Sequence, residues 1–478
     1  MSPMLDISRT SQLPPELWED IIKYSTPSSL RACLSVSRLF HDLAVRFLFS
    51  TIHIQFGALS PHGLSPEEHE RRVARNCSIG SDILCYIASK PSFAVVVKKI
   101  VVHSYMVGPY VFDRQLLIDA VSKLSNLSCF VWYGVASSVS ATLVLNRPDL
   151  DPANGDIRIP LASSLPLRRI QNLRSLSLEW WADELEHEDP ELELTEVRDM
   201  IEANTDTLQE LEICAPHCRS FPLRTLRNLV YLHLIDAPLD NIETVFRYGD
   251  QLEALSIVPD VHCVQELFSV IASHPKRLPR LSSFKLIQSD DDEWRPDVSD
   301  MAALAEFFRT KNMRRLDCKL CVDCTTSLPF LQMLQNLKNL QVLGIGLISP
   351  TFVQNDSLSF TNYIPKNISA LRLRLGYDGT IIGRDVILHL WDHFEGLRYA
   401  HIVVSTVPDI TLAMLISSNS KQDLELIAYN GRVFPLERTI DNVCVGKSWS
   451  ECKTTTRAVE DFGNEDWEWL SRHYMVYW

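Results

Sequence analysis

The sequence predicts an α/β repeat protein, with a small helical module at the N-terminus followed by a long array of strand-then-helix units. Three observations predict it. One short apolar phrase returns twelve times, with most copies 21 to 35 residues apart. Helix-period patterns fill the intervals between copies. A 44-residue stretch, Leu13 to Phe56, carries more apolar helix face than so short a segment buries by itself.

Composition sets the frame. At 478 residues the chain exceeds the size at which ordinary cores stop growing, about 250 to 300 residues. Repeats escape that limit because each unit packs only on its neighbours. Apolar content of 46% with 22% charged residues describes a folded chain. A formal net charge of −14 argues against a general nucleic-acid binder, which needs a basic stripe to release counterions. Met1 to Gln12 lacks the apolar centre of a signal peptide, and no run approaches the ~20 apolar residues of a membrane span. Phe93 to Val102 comes nearest and is broken by Lys98 and Lys99. Twelve cysteines without a signal peptide fit a reducing compartment, so cytoplasm or nucleus is expected, with no membrane contact.

In the N-terminal stretch, Leu17, Ile21 and Tyr24 recur at four then three residues. Leu30, Cys33 and Leu34 mark a second helix, and Val36, Phe40, Leu43 and Phe47 form a longer stripe. Pro14 and Pro15 open the first helix, where a missing amide hydrogen costs little, and Pro27 separates it from the next. The run Leu13-Pro14-x-Glu16-Leu17, then Ile21-Ile22, Leu30-Arg31-Ala32-Cys33 and Val36-Ser37-Arg38-x-Phe40, resembles an F-box, in the form common in fungal proteins. The resemblance implies docking on a Skp adaptor, and through it on a cullin-RING ubiquitin ligase, while the rest of the chain selects a protein substrate. By the same resemblance Leu13, Pro14, Leu17, Ile21, Leu30, Cys33, Val36 and Phe40 are the adaptor-facing or module-core positions. The turn Tyr24-Ser25-Thr26-Pro27-Ser28 departs from the family's pattern after the first helix and implies a weaker adaptor contact.

From about residue 95 the phrase is an apolar residue, two variable ones, then an alternating apolar run, as in Leu173-Arg-Ser-Leu176-Ser-Leu178 or Leu229-Val-Tyr-Leu232-His-Leu234. Its second anchors are Ile100, Phe130, Leu176, Leu211, Leu232, Leu255, Phe284, Leu316, Leu343, Leu371, Ala400 and Ile427. Between them lie helical patterns such as Leu117-Val121-Leu124, Val197-Ile201, Val264-Leu267-Phe268-Ile271, Met301-Leu304-Phe308 and Ile387-Leu390-Trp391-Phe394. The 46-residue interval from Phe130 to Leu176 holds either a missed strand or a loop around Asn146 to Pro160. The pattern resembles the leucine-rich repeats that often follow an F-box, which implies a curved solenoid with parallel strands on the concave side and helices on the convex side. The asparagine or cysteine usual after the strand is mostly missing, so a regular asparagine ladder is not expected.

The expected organisation is a flexible N-terminus over 1–12, docking helices over 13–56, a connector and first helix over 57–90, the solenoid over 91–432 and a C-terminal cap over 433–478. Trp467, Leu470 and Tyr474 share a helix face near the end, with Trp478 last. That segment reads as a solenoid cap, or alternatively as a tail that inserts into a partner.

Several motifs suggest chemistry and fall short of it. Gly446-Lys447-Ser448 resembles the end of a phosphate loop, but Asp441 stands where the leading glycine is needed. Cys318, Cys321 and Cys324 have ligand-like spacing, yet strand alternation puts Cys318 inward with Leu316 and Leu320. His389 and His393 lie four apart without the metalloprotease glutamate and are expected to face solvent. The acidic runs Asp183 to Glu193 and Asp290 to Glu293 read as rim loops. No cofactor or metal is expected, and no enzymatic activity in this chain.

Residues alternating with the anchors should line the concave groove, acidic early (Glu179, Glu210, Glu212) and basic late (Lys285, Arg315, Lys319, Arg372, Arg374). Arg372 and Arg374, with Tyr399 and His401, are expected to hold an acidic or phosphorylated substrate segment, supported by Arg315 and Lys319. The expected function is that of a non-enzymatic substrate receptor in a ubiquitin ligase. The alternative is a repeat scaffold that has lost adaptor binding.

Overall fold

The computed structural model describes residues 13–57, 65–105, 114–135, 171–181, 198–214, 225–237, 239–259, 263–288, 295–320, 324–347, 360–375, 393–394, 396–404, 423–429, 432–438, 443–449 and 462–472. Backbone contacts divide the chain into two compact units, Met1–Leu208 and Gln209–Trp478.

The first unit opens with three helices, α1 (Pro15–Lys23), α2 (Pro27–Cys33) and α3 (Arg38–Leu48). Proline stands at the first position of α1 and of α2. The Thr26 hydroxyl accepts the Ser29 amide (3.2 Å) to cap α2, and the Ser37 hydroxyl accepts that of Phe40 (3.3 Å) to cap α3. Four parallel strands follow in chain order: β1 (Thr51–Gly57), β2 (Lys99–Tyr105), β3 (Cys129–Val135) and β4 (Ser175–Trp181). Helices Pro66–Ser89 and Arg114–Lys123 connect the first three.

Two expected boundaries move. Residues 51–56, assigned to the docking helices, form β1, because Ile52, Ile54 and Phe56 alternate at period 2 and bury on one side of the sheet. The helix placed in the 57–90 connector is 24 residues long, starts from a Ser65–Glu68 capping box and packs on β1. The repeats therefore begin at Thr51 and not at 91. β3 pairs directly with β4, Phe130 opposite Leu176, so the two are neighbours in the sheet, and the stretch around Asn146 to Pro160 falls outside the described residues.

The second unit carries β5 (Glu210–Cys214), β6 (Tyr231–Ala237), β7 (Ala254–Pro259), β8 (Ser283–Ile287), β9 (Arg315–Lys319), β10 (Val342–Leu347), β11 (Ala370–Leu375), β12 (Tyr399–Val404) and β13 (Leu426–Tyr429). These nine are parallel and paired in chain order. The anchors Leu211, Leu232, Leu255, Phe284, Leu316, Leu343, Leu371, Ala400 and Ile427 stand in one register row, all buried. Ile52, Ile100, Phe130 and Leu176 make the equivalent row in the first unit. Anchors pack on helices: the Phe284 ring lies 5.1 Å from Phe308 and 6.1 Å from Phe307 on helix Val298–Arg309.

Asparagines still stitch the rungs, but from a position ahead of the strand. Asn126 donates to the carbonyl of Val95 (2.8 Å), Asn367 to that of Lys338 (3.1 Å), and Asn339 to the side-chain oxygen of Asn312 (2.6 Å). Each stands immediately before the first apolar residue of its phrase, where the turn from helix to strand leaves backbone groups without a ladder partner.

The C-terminal part departs from the expected cap. β14 (Arg432–Arg438) turns back antiparallel on β13 and β15 (Val443–Val445) on β14. The Gly446 amide donates to the carbonyl of Pro435 (2.8 Å), extending this hairpin. The last described helix, Glu465–Ser471, lies on the face of the sheet opposite the repeat helices and not over its end. Tyr474 and Trp478 fall outside the described residues, as do Glu395 and 381–392, which carry most of the expected helix around His389.

Candidate functional site

Two surfaces carry the chemistry. In the N-terminal module, Ile22, Leu30, Leu43 and Ala44 close a core on which Trp18, Cys33, Leu34, Phe40, Phe47 and Leu48 pack. The Trp18 and Phe40 rings meet edge to face at 4.9 Å. With the interior filled, the remaining apolar side chains point outward. Leu17 is 47% exposed, Ile21 49%, Val36 64% and Tyr24 83%, and Leu13 and Pro14 are exposed beside them. Of the eight sequence-predicted positions, Leu13, Pro14, Leu17, Ile21 and Val36 thus form surface, Leu30 is core, and Cys33 and Phe40 are half-buried against it. The stripe Leu17-Ile21-Tyr24 is the outer side of α1, while Trp18 and Ile22 form its inner side.

The second surface is the sheet face opposite the helices. One register row there reads Glu212, His233, Ser256, Lys285, Asp317, Gly344, Arg372 and His401, from β5 to β12. Strand alternation puts each beside an inward anchor, so an open groove would hydrate them. All eight are buried instead. The cover over the later strands is the chain's own helix Glu465–Ser471.

The contacts are specific at both ends of that helix. Asn464 caps it by accepting the Asp466 amide (2.8 Å). The Asp466 carboxylate accepts from Arg314 Nη2 (2.9 and 3.0 Å) and from Arg315 Nε (2.7 Å). At the other end Lys285 Nζ donates to the carbonyls of Trp469 (2.6 Å) and Arg472 (2.9 Å) and sits 4.7 Å from the Trp469 ring centre. Arg372 donates to the carbonyl of Leu470 (2.9 Å). The Tyr399 hydroxyl meets that of Ser471 (2.7 Å), and its ring stacks on Trp467 at 5.8 Å. A helix ends in carbonyls without intrahelical donors and in partial negative charge, and two cations of the sheet answer both.

A buried ion network supports these cations. Arg372 pairs with Asp317 across β10, and Lys285 lies 3.8 Å from the same carboxylate. Gly344 stands in register between Asp317 and Arg372, and a Cβ there would come within 2.0 Å of Asp317 Oδ1. The pair spans the strand because no side chain intervenes. Burial pulls the Lys285 ammonium down to about 7, and Asp317 opposes that shift. Burial, then Lys285 and Arg472, hold His233 well below the usual imidazole value.

The predicted open groove is therefore corrected. Lys319, Arg372, Tyr399 and His401 are buried, Arg315 is largely covered by Asp466, and Arg374 is half-buried. Lys285 faces the side that strand alternation predicts, but nothing in the local pattern marks Lys285 or Asp317 as a partner of the tail. His393 is half-buried, its Nε2 3.3 Å from the carbonyl of Ile364. Cys318 is buried, with its thiol pushed well above the usual value by burial and by Asp317. Cys321, His389 and both acidic runs lie outside the described residues. Among the described residues no group of three or more metal-type ligands assembles, and no helix is long and apolar enough to cross a membrane.

An outward-facing apolar helical module ahead of a parallel strand-helix array defines a protein-interaction adaptor. Residues 10–50 match the family model for the F-box domain, so the chain carries an F-box at its N-terminus. Among solved structures the chain is similar to the leucine-rich repeat-containing protein LegL7 from Legionella pneumophila, with TM-score 0.36 and 14% identity over 77% of this chain and 98% of that one. A protein from Bacteroides fragilis is similar with TM-score 0.25 and 11% identity over 76% of this chain and 72% of that one. No curated protein matches the sequence. The leucine-rich-repeat-like architecture rests on the strand register and helix packing of the chain itself.

Proposed function

We propose that this chain is the substrate-recognition subunit of a Skp-cullin-F-box ubiquitin ligase. The F-box docks on a Skp-type adaptor, and the repeat array presents a protein substrate to a ubiquitin-charged enzyme brought by other subunits. Catalysis is then by proximity, with no reacting group supplied by this chain. The observation that carries the reading is the surface of Leu13, Leu17, Ile21, Tyr24 and Val36 on a module whose own core is already filled. Exposed apolar side chains grouped on one small module are costly unless a partner covers them. The substrate surface is the sheet face around Arg315, Lys319, Arg372, Arg374, Tyr399 and His401, which a substrate reaches in exchange for the helix Glu465–Ser471 that the chain itself lays on it.

The test is co-purification of the full chain with a Skp-type adaptor, beside the variant Leu17→Asp/Ile21→Asp. Both side chains are about half exposed, so the variant retains the wild-type circular dichroism spectrum. Burying the exposed half of two such side chains contributes roughly 1.5 to 3 kcal/mol, and placing two carboxylates in an apolar contact adds a desolvation cost. Adaptor binding weakens by about a hundredfold or more. Equal adaptor recovery with wild type and variant would refute the reading.

A further inference from the structure

The helix Glu465–Ser471 has seven residues, and isolated helices shorter than about 12 to 15 residues are marginal in water. Its order comes from the sheet. One contiguous segment, Asn464 to Arg472, is gripped by side chains from β8, β9, β11 and β12 and from Arg314 just before β9. The sheet supplies two arginines for an acidic first turn, a lysine and an arginine for the final carbonyls, and a flat aromatic bed of Tyr399 for Trp467.

An element that serves only to close a core gains little from such contacts. Replacing a buried ion pair by well-packed apolar residues is often neutral or stabilising, so closing a core does not by itself require Lys285, Asp317 and Arg372 on this face. What the sheet reads on the segment is portable: two carboxylates, two indoles, one hydroxyl, one guanidinium and three backbone carbonyls. A segment of another protein with the same groups at the same spacing would satisfy the same side chains.

We propose that the β8–β12 face is a recognition surface for a short helical peptide with an acidic first turn and two tryptophans two residues apart. Asn464 to Arg472 is its resident intramolecular ligand, and a substrate segment of the same chemistry replaces it. The identity of the incoming segment as a substrate rests on the ubiquitin-ligase reading; the peptide-binding surface does not. While the resident segment is seated, it competes at the high effective concentration of a tethered ligand, so external segments bind weakly until it is released.

The probe is a fluorescent, acetylated and amidated peptide with the sequence of residues 464–472. Fluorescence polarisation measures its binding to the full wild-type chain and to the full-length variant Asp466→Ala/Trp469→Ala, whose resident ligand has lost one carboxylate and one indole. The variant is expected to bind the peptide at least tenfold more tightly than wild type, and a peptide carrying the same two alanines is expected not to bind. A variant that melts cooperatively and binds no peptide overturns the proposal. Hydrogen exchange on the wild-type chain is an independent readout, whether or not the variant folds. Amides of Glu468 to Arg472 are expected to exchange at least tenfold faster than those of β8 to β11, and faster still with excess peptide; exchange in step with the sheet and indifferent to peptide overturns it. Neither readout includes the adaptor, so a chain that binds peptide but not adaptor overturns the ligase reading and leaves this one standing.

Discussion

Gly344→Ala strikes the covered face at its narrowest point. The new Cβ would stand 2.0 Å from Asp317 Oδ1 and 2.5 Å from its Cγ, far inside contact distance, so the carboxylate must swing away from Arg372 and Lys285. Those three side chains are at most 4% exposed, so solvent has little access to a charge that loses its partner. Breaking a buried pair by removing one partner costs about 3 to 5 kcal/mol. Alanine recovers about 0.5 to 1 kcal/mol of the glycine's strand penalty, which leaves a net loss of about 2 to 4 kcal/mol. For a unit of this size each kcal/mol is worth roughly 2 to 3 °C, so the thermal midpoint falls by about 5 to 10 °C.

Gly346 supplies the control on the same strand and the same face. A Cβ there meets Lys319 Cα and Cγ at 3.5 Å, which is ordinary contact. Gly346→Ala is therefore expected to be neutral or stabilising by up to about 1 kcal/mol. The assay is thermal and urea unfolding of the full chain followed by tryptophan fluorescence. Gly344→Ala as stable as wild type, or both variants shifted alike, would refute the argument that the glycine exists to let Asp317 reach across β10.

Two further outcomes follow from the buried titratable groups. Lys285 titrates at about 7 in the folded chain because of burial and near 10.4 when unfolded. Between those values the unfolded chain binds more protons, so stability rises with pH by up to about 1.4 kcal/mol per unit, and below about 7 the burial penalty is complete and flat. Lys285→Met removes this slope while Lys311, whose burial lowers it to about 8, stays in both chains and cancels. Wild type should thus gain about 2 kcal/mol on the variant between pH 7 and 9, and parallel stability profiles in urea would refute the assignment. Cys85 and Cys444 are exposed, whereas Cys318 is buried with its thiol pushed well up. At pH 8 a thiol reagent should label the first two at least about a hundredfold faster than Cys318, because only the thiolate reacts; mass spectrometry showing rapid Cys318 labelling of the folded chain would contradict that placement.

The repeat register and the N-terminal helical module are legible in local sequence pattern. Ile100, Phe130, Leu176 and the nine later anchors were legible because a strand buried on one side imposes period 2, and the phrase repeats it in every rung. The F-box stripes were legible because helix period and proline placement are equally local. β1 was missed because Ile52, Ile54 and Phe56 continue an apolar run from α3, and its partner β2 lies 48 residues on. Tertiary structure alone decided whether the polar row from Glu212 to His401 meets water or protein. Local pattern says which face a side chain takes, not what covers that face. Lys285 bonds to carbonyls 184 and 187 residues away, and Arg372 to one 98 away. Pairings at that distance arise from the stacking of rungs, which gathers side chains from many strands into one row that a nine-residue segment can span.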